Sequence, residues 1–373
     1  MQEKNVTEIL SELVKIKSIS SDKNHTVDVK KSAEFVEKLF LELGLQTKIA
    51  TSGNSRPAVL AQTEINPDRK TVLLYAHHDV QPVGDINKWE TDPFNPEIIN
   101  GRLFGRGSGD NKAGVVIHHE VVKELMKDLP VNIKIFIEGE EEIGSPCMAE
   151  FLDEFNKELE ADVIVIADSG NIRVGTPTVT TSLRGLVDGF IEVDQPMRPV
   201  HSGVGGGVVP DAFMVLSKII ASFHNEKGEL QIEGLTSSDM DVLELKEEEI
   251  KKIFGSEDIN LFELDSISKR LWLEPALSIL AIDAPSTKEA VNLVIPNAKA
   301  KVSLRLPPTE DPEHAMKMLE EHIMKNVPWG ANVRFIPEAK GSGIVADPNK
   351  EFTKKLVQNF EEVFNTDAAY MGV

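Results

Sequence analysis

Hydrophobic residues recur at intervals of three or four positions in two stretches near the start of the chain, from Val6 to Ile16 and from Ala33 to Leu43. Apolar side chains at this spacing lie on one face of a helix, where they can pack on a core. We therefore predict that the first 45 residues form two amphipathic helices.

Three short apolar runs follow, at residues 72–76, 132–137 and 163–167. Continuous β-branched runs of this length are typical of strands that are buried on both faces of an α/β sheet. Residues 113–129, between the first two runs, have helical spacing. The alternation of strand, helix and strand predicts a layered α/β/α domain with crossover connections.

A different order of elements begins near Ser182. Strands are predicted at residues 185–194, 277–282, 298–306 and 332–336, with helices at 211–224 and 312–324. The order β-α-β-β-α-β is typical of a ferredoxin-like module. A final amphipathic helix is predicted from Lys350 to Phe364. The expected division is a first domain of residues 1–181, an inserted module of residues 182–342, and a return to the first domain at residues 343–373.

The charge balance restricts the partners of the chain. Its 373 residues include 40 basic and 61 acidic side chains, which give a net charge of −21. Such a surface repels nucleic acid phosphates and anionic membranes, so neither is an expected partner. The chain has no visible secretory signal and has a single cysteine, Cys147. These features favour the reducing cytoplasm.

Two groups of candidate site residues follow the first predicted strand. His77 and Asp79 come directly after it, and Asp79 could hold the second ring nitrogen of a metal-binding histidine or orient a neighbouring group. His78 is expected to point the other way. Asp110 lies in a glycine-rich loop that lacks the Gly-Lys-Ser/Thr ending of a phosphate loop. Asp110 could equally be a turn residue or a helix N-cap.

Two further acidic groups follow the other predicted strands. Glu141 and Glu142 belong to a run of glutamates, which is often only a solvated helix face, but crowded carboxylates repel one another unless a cation neutralises them. Asp168 ends the third strand, where it could simply begin a loop. The carboxyl ends of strands in open α/β sheets form ligand sites. Imidazole and carboxylate groups without a thiolate suit Zn²⁺, Mn²⁺ or Co²⁺.

Three stretches of the chain, residues 76–82, 105–112 and 138–145, resemble the signatures of the cocatalytic zinc peptidases. This family includes carnosinases, bacterial dipeptidases, aminoacylases and succinyl-diaminopimelate desuccinylase. Val80–Pro82 and Asp110–Lys112 favour the carnosinase-like dipeptidases. The resemblance implies an α/β/α catalytic domain with a ferredoxin-like lid that forms a homodimer. It also implies two Zn²⁺ ions that activate a water molecule for the hydrolysis of dipeptides or small aminoacyl peptides.

The resemblance also implies a role for each candidate residue. His77 and Asp168 would bind one ion, Glu142 the other, and Asp110 both; Glu141 would be the general base and Asp79 would support His77. In the lid, His201 would polarise the scissile carbonyl across the dimer interface, and Arg305 would bind the substrate carboxylate with its planar fork of donors. Without the resemblance, His201 and Arg305 would be an ordinary loop histidine and strand arginine.

One family feature has no counterpart before Val373. The second metal ion of the family normally has a terminal histidine ligand, whereas His224, His314 and His322 all lie on predicted helices. We therefore expect a truncated chain with an incomplete second site and weak or absent activity. The alternatives are a deacylase of N-acyl amino acids and a non-catalytic relative that acts through its lid.

Overall fold

The computed structural model describes residues 5–373. They form two compact units, one that ends at Gly170 and one that runs from Asn171 to Val373. The first unit contains α1 (Val6–Val14), α2 (Thr26–Glu42), β1 (Gln46–Ala50), β2 (Ala58–Gln62), β3 (Thr71–His77), β4 (Glu97–Ile99), β5 (Arg102–Phe104), α3 (Lys112–Leu125), β6 (Asn132–Glu138), α4 (Met148–Glu154), α5 (Asn156–Leu159) and β7 (Val163–Ile166).

The second unit contains β8 (Thr178–Leu183), β9 (Gly185–Asp194), β10 (Val200–His201), α6 (Ser202–Gly205), α7 (Ala212–Ser222), α8 (Glu247–Ile253), α9 (Ile267–Trp272), β11 (Ala276–Asp283), β12 (Leu293–Val294), β13 (Asn297–Leu306), α10 (Pro312–Lys325), β14 (Val333–Gly341), β15 (Ile344–Val345), α11 (Glu351–Phe364) and β16 (Ala369–Gly372).

A five-stranded sheet with the order β1-β2-β6-β3-β7 forms the centre of the first unit. β3 pairs in parallel with both β6 and β7, as the three apolar runs predicted. Phe40 of α2 and Val115 of α3 pack with Ile135 on one face of the sheet. On the other face Phe136 packs on Phe151 of α4. The predicted α/β/α layering is therefore confirmed.

The burial predicted for β7 is wrong, although the strand itself is present. Ile164, Val165 and Ile166 are 53%, 37% and 56% exposed. In the described part of the chain β7 pairs with β3 alone and lies at the edge of its sheet. A continuous apolar run predicts a strand, but it does not distinguish a central strand from an edge strand.

The connections of the sheet diverge at β3. The chain passes from β3 through α3 to β6 on one side, and then through α4 and α5 to β7 on the other side. Ligands of open α/β sheets bind beyond the carboxyl ends of the strands at such a topological switch point. His77 ends β3, Glu138 ends β6, and Asp168 follows β7 by two residues.

The second unit contains a four-stranded antiparallel sheet with the order β11-β13-β9-β14. Alternate residues of β9 are buried, among them Val187 and Ile191, and they pack with Leu216 of α7 and Leu319 of α10. A sheet with one covered face and one solvated face has this alternation. The strand order and the two helices confirm the predicted ferredoxin-like arrangement.

A smaller sheet, β15-β8-β16, was not predicted. Its last strand, β16, pairs in parallel with β8. The domain boundaries at 181/182 and 342/343 stay a prediction. Within residues 5–373, none of the helices is both long enough and apolar enough to cross a membrane.

Candidate metal centre

His77 lies at the centre of the candidate site and is fully buried. Its side chain leaves the last position of β3, which pairs with Glu138 of β6. The ring nitrogen Nδ1 lies 3.3 Å from Oδ1 of Asp79, and the other ring nitrogen, Nε2, faces the carboxylates of the following loops. Asp79 therefore lies beside the second nitrogen of His77, and its supporting role stays a prediction.

Three carboxylates surround Nε2 of His77. Asp110 approaches it to 3.0 Å, Asp168 to 3.5 Å and Glu141 to 3.7 Å. One ligand atom from each of His77, Asp110 and Asp168 lies within 4.8 Å of the others, so these three side chains could share one metal ion. The carboxyl ends of β3, β6 and β7 therefore bring His77, Glu141 and Asp168 together. The first and the last of these residues are 91 positions apart in the sequence.

The negative charges of these carboxylates favour a positive charge at the position next to Nε2 of His77. Burial alone would lower the pKa of the His77 imidazole, but hydrogen bonds to Asp110, Asp168 and Asp79 raise this pKa to about 12. Opposite charges at hydrogen-bonding distance favour the charged form of a group in this way. The same negative field would favour a bound cation.

Glu141 and Glu142 occupy different positions in the site. Burial raises the pKa of Glu141 to about 7, with a further contribution from the neighbouring Asp168 carboxylate. Glu142 lies outside the group that can share one ion in the described structure; its Oε1 accepts a hydrogen bond of 3.2 Å from the backbone N–H of Gln81. Burial and the nearby Asp110 raise the pKa of Glu142 as well.

The sequence model of peptidase family M20/M25/M40 matches residues 73–372. The chain belongs to this family. The resemblance that the three motifs indicated is therefore confirmed, and the match includes all eight candidate site residues.

Individual relatives support the same family. A cysteinylglycine-S-conjugate dipeptidase from Corynebacterium striatum is 32% identical over 348 residues, which are 91% of this chain and 76% of that protein. A Beta-Ala-His dipeptidase from Mus musculus is 31% identical over 289 residues, which are 72% of this chain and 58% of that protein. The crystal structure of an M20 family metallo-carboxypeptidase, Sso-CP2 from Sulfolobus solfataricus, has 27% identity and a TM-score of 0.80, and the match covers 99% of this chain and 86% of that one.

Asp79 also contacts the turn that follows β6 in this M20 chain. Its two carboxylate oxygens accept hydrogen bonds from the backbone N–H groups of Glu141, at 3.3 Å, and Glu142, at 3.1 Å. Burial opposes ionisation of Asp79, but the hydrogen bond with His77 keeps its pKa below the usual value. One buried carboxylate therefore orients both the histidine and the turn that carries the two glutamates.

Asn111 is a site residue that sequence reasoning missed. Its Nδ2 donates to the backbone oxygen of Ala167, at 2.8 Å, and to Oδ1 of Asp168. A Cβ atom on Gly114 would lie 2.0 Å from Asn111 Oδ1 and 2.4 Å from Ala167 O, so only glycine allows this approach of α3 to the end of β7. The available signal was the position of Asn111, directly after Asp110.

His201 and Arg305 lie in the second unit, on β10 and β13, and both are exposed. Nδ1 of His201 accepts a hydrogen bond of 3.1 Å from the backbone N–H of Gly203. Their assigned roles stay predictions.

The other three histidines considered as metal ligands, His224, His314 and His322, also lie in the second unit. His314 lies 2.7 Å from Glu310, and His322 lies 3.0 Å from Ser222; both are on α10, as predicted. The prediction that His224 lies on a helix is wrong, because α7 ends at Ser222 and the backbone of His224 bridges to Leu230.

Proposed function

We propose that this chain hydrolyses dipeptides, or small aminoacyl peptides, with the help of divalent metal ions. The observation that carries the proposal is the convergence of His77, Asp110 and Asp168 around one point, with Glu141 beside them. The predicted enzyme class, a metallopeptidase, is confirmed by the family match and by the dipeptidase names of the relatives. These names also support small peptides as the substrates.

The donor set fits a cation of the proposed kind. It combines one buried imidazole with several carboxylates, and these are ligands that Zn²⁺, Mn²⁺ and Co²⁺ accept. His77 and Asp168 would hold one ion, Glu142 would hold a second ion, and Asp110 would contribute to both. When bound, such ions act as Lewis acids and can lower the pKa of a water molecule to about 7.

Glu141 is the residue proposed to move protons. Its carboxylate lies 3.7 Å from Nε2 of His77, where it could accept a proton from a water molecule held at the site and return the proton to the leaving amine. Asp79 holds the backbone of Glu141, so the carboxylate stays beside the histidine. In the second unit, we propose that the exposed Arg305 binds the substrate carboxylate and that His201 stabilises the developing oxyanion. A homodimer through the lid and a cytoplasmic location belong to the same proposal.

A substrate panel tests the proposal. Purified chain is incubated with Zn²⁺, Mn²⁺ or Co²⁺ and with Cys-Gly, β-Ala-His, an N-acetyl amino acid and an N-blocked dipeptide. We expect weak release of amino acids from the two free dipeptides, as the sequence predicts, and loss of this release in the matched variant Glu141→Gln. Hydrolysis of the N-acetyl amino acid alone would indicate a deacylase. Preference for the N-blocked dipeptide would indicate a carboxypeptidase, and no metal-dependent release from any substrate would contradict the proposal.

A further inference from the structure

Lys112 is a fully buried lysine two residues beyond Asp110. Its Nζ donates hydrogen bonds to the backbone oxygens of Leu13, at 3.0 Å, and Ile16, at 2.6 Å. Since α1 ends at Val14, these acceptors are carbonyl groups at the end of that helix, where intrahelical donors run out. The side chain therefore joins the loop of Asp110 to an element that precedes it by almost a hundred residues.

The segment after α1 supports the other side of the site. Ser18 Oγ donates to the backbone oxygen of His78 at 2.7 Å, and the backbone N–H of Val80 donates to Ser18 O at 2.9 Å. Lys112 is thus hydrogen-bonded to the same short segment that holds the backbone around His77 and Asp79. The segment therefore contacts both Lys112, next to the loop of Asp110, and the backbone around His77.

The glycine-rich loop packs closely against the aliphatic part of the Lys112 side chain. Gly107 has a φ of +86°, and a Cβ atom there would lie 3.1 Å from Cδ of Lys112 and 2.8 Å from Cγ1 of Val80. The backbone N–H of Lys112 in turn donates to Gly107 O at 3.1 Å. The path of the loop and the position of the lysine stem therefore depend on each other.

We propose that Lys112 is a positioning residue that holds Asp110 at its 3.0 Å distance from His77 by fastening the loop to the end of α1. The inference rests on the proposed function, because it requires Asp110 to bind metal. Residues that orient a metal ligand without touching the metal typically contribute about 10- to 100-fold to metal affinity. We expect a loss of this size when the Lys112 hydrogen bonds are removed.

Lys134 provides a matched control within the same unit. It is also buried, and its Nζ donates to two backbone oxygens, those of Lys157 at 2.8 Å and Glu160 at 2.7 Å, at the end of α5. Lys134 lies on β6 four residues before Glu138, at a distance of about 13 Å along the strand. The substitutions Lys112→Met and Lys134→Met remove equivalent bonds, but only the first removes them beside the metal centre.

The experiment measures Zn²⁺ affinity of the full chain by competition with a chromophoric chelator, and thermal unfolding in EDTA. Both variants should unfold at lower temperature, whereas only Lys112→Met should bind Zn²⁺ about 10-fold or more weakly. The visible spectrum of bound Co²⁺, which reports ligand geometry, should change in Lys112→Met alone. If Lys112→Met does not fold, the shorter Lys112→Gln replaces it, with the same expectation.

Each outcome has a separate meaning. Equal Zn²⁺ affinity in wild type, Lys112→Met and Lys134→Met would overturn the role of Lys112 and leave the metal site intact. An equal loss of affinity in both variants would also overturn it, because the effect would then be one of general stability. Failure of the wild type itself to bind Zn²⁺ would overturn the proposed function as well.

Discussion

The close approach of α3 to the end of β7 leads to a test at Gly114. In Gly114→Ala the new Cβ would lie 2.0 Å from Asn111 Oδ1 and 2.4 Å from Ala167 O, whereas ordinary contact begins near 3.4 Å. Both oxygens would have to move by about 1 Å or more. One of them belongs to the backbone, so rotation of the Asn111 side chain cannot relieve the whole clash.

The expected cost combines two unfavourable contributions and one favourable contribution. Overpacking in a well-packed region costs about 1–3 kcal/mol, and each displaced hydrogen bond of Asn111 adds about 1 kcal/mol. Alanine in a helix recovers about 1 kcal/mol relative to glycine. We therefore expect the free energy of unfolding to fall by about 3 kcal/mol, or roughly 6–12 °C in melting temperature for a unit of this size.

Thermal unfolding and Zn²⁺ titration of Gly114→Ala, with Gly109→Ala as the control, measure these effects. A Cβ on Gly109 would have no atom within 4 Å, and this glycine lies in the loop that leads into α3. The control should stay within about 0.5 kcal/mol of wild type, and Gly114→Ala should also bind Zn²⁺ more weakly because Asn111 holds Asp168. If the two variants had the same melting temperature and the same Zn²⁺ affinity, the reasoning about this contact would be refuted.

Three further predictions concern single side chains. Glu141→Gln should lower kcat by about 10²- to 10⁴-fold while Zn²⁺ still binds; unchanged turnover in steady-state assays would exclude Glu141 as the general base. Asp79→Asn should weaken Zn²⁺ binding about 10- to 100-fold, since an amide cannot accept both backbone N–H groups; a calorimetric titration with unchanged affinity would contradict this. Burial lowers the pKa of His118 below its unfolded value of about 6.5, so the unfolded chain binds more protons and stability falls as the pH falls through this region. In His118→Gln, the free energy of unfolding, measured with denaturant between about pH 5 and 6.5, should change less steeply with pH. An unchanged dependence on pH would assign it to other groups.

Much of the candidate site could be predicted because its residues follow apolar runs directly. Parallel strands bring their carboxyl ends to one edge, so the apolar runs before His77 and Asp168 favoured a meeting of these two residues. Asp110, in the loop before the crossover helix, could also have been a turn residue or an N-cap. The two glutamates followed from their position after β6. The backbone partners of Asp79 and the contact of Asn111 with Asp168 could not be predicted, because they depend on how the loops fold.

The sequence by itself determined the layered architecture, the ferredoxin-like module and the identity of the acidic and histidine side chains at the strand ends, since period and composition are local properties. Only the tertiary structure decided that β7 is an exposed edge strand in the described chain, that Gly114 lets Asn111 reach Asp168, and that Lys112 is bonded to the end of α1. These outcomes depend on which distant segments come into contact. A contact across a hundred positions leaves no periodic signal in one sequence, because its energy comes from geometry that exists only after the layers have packed.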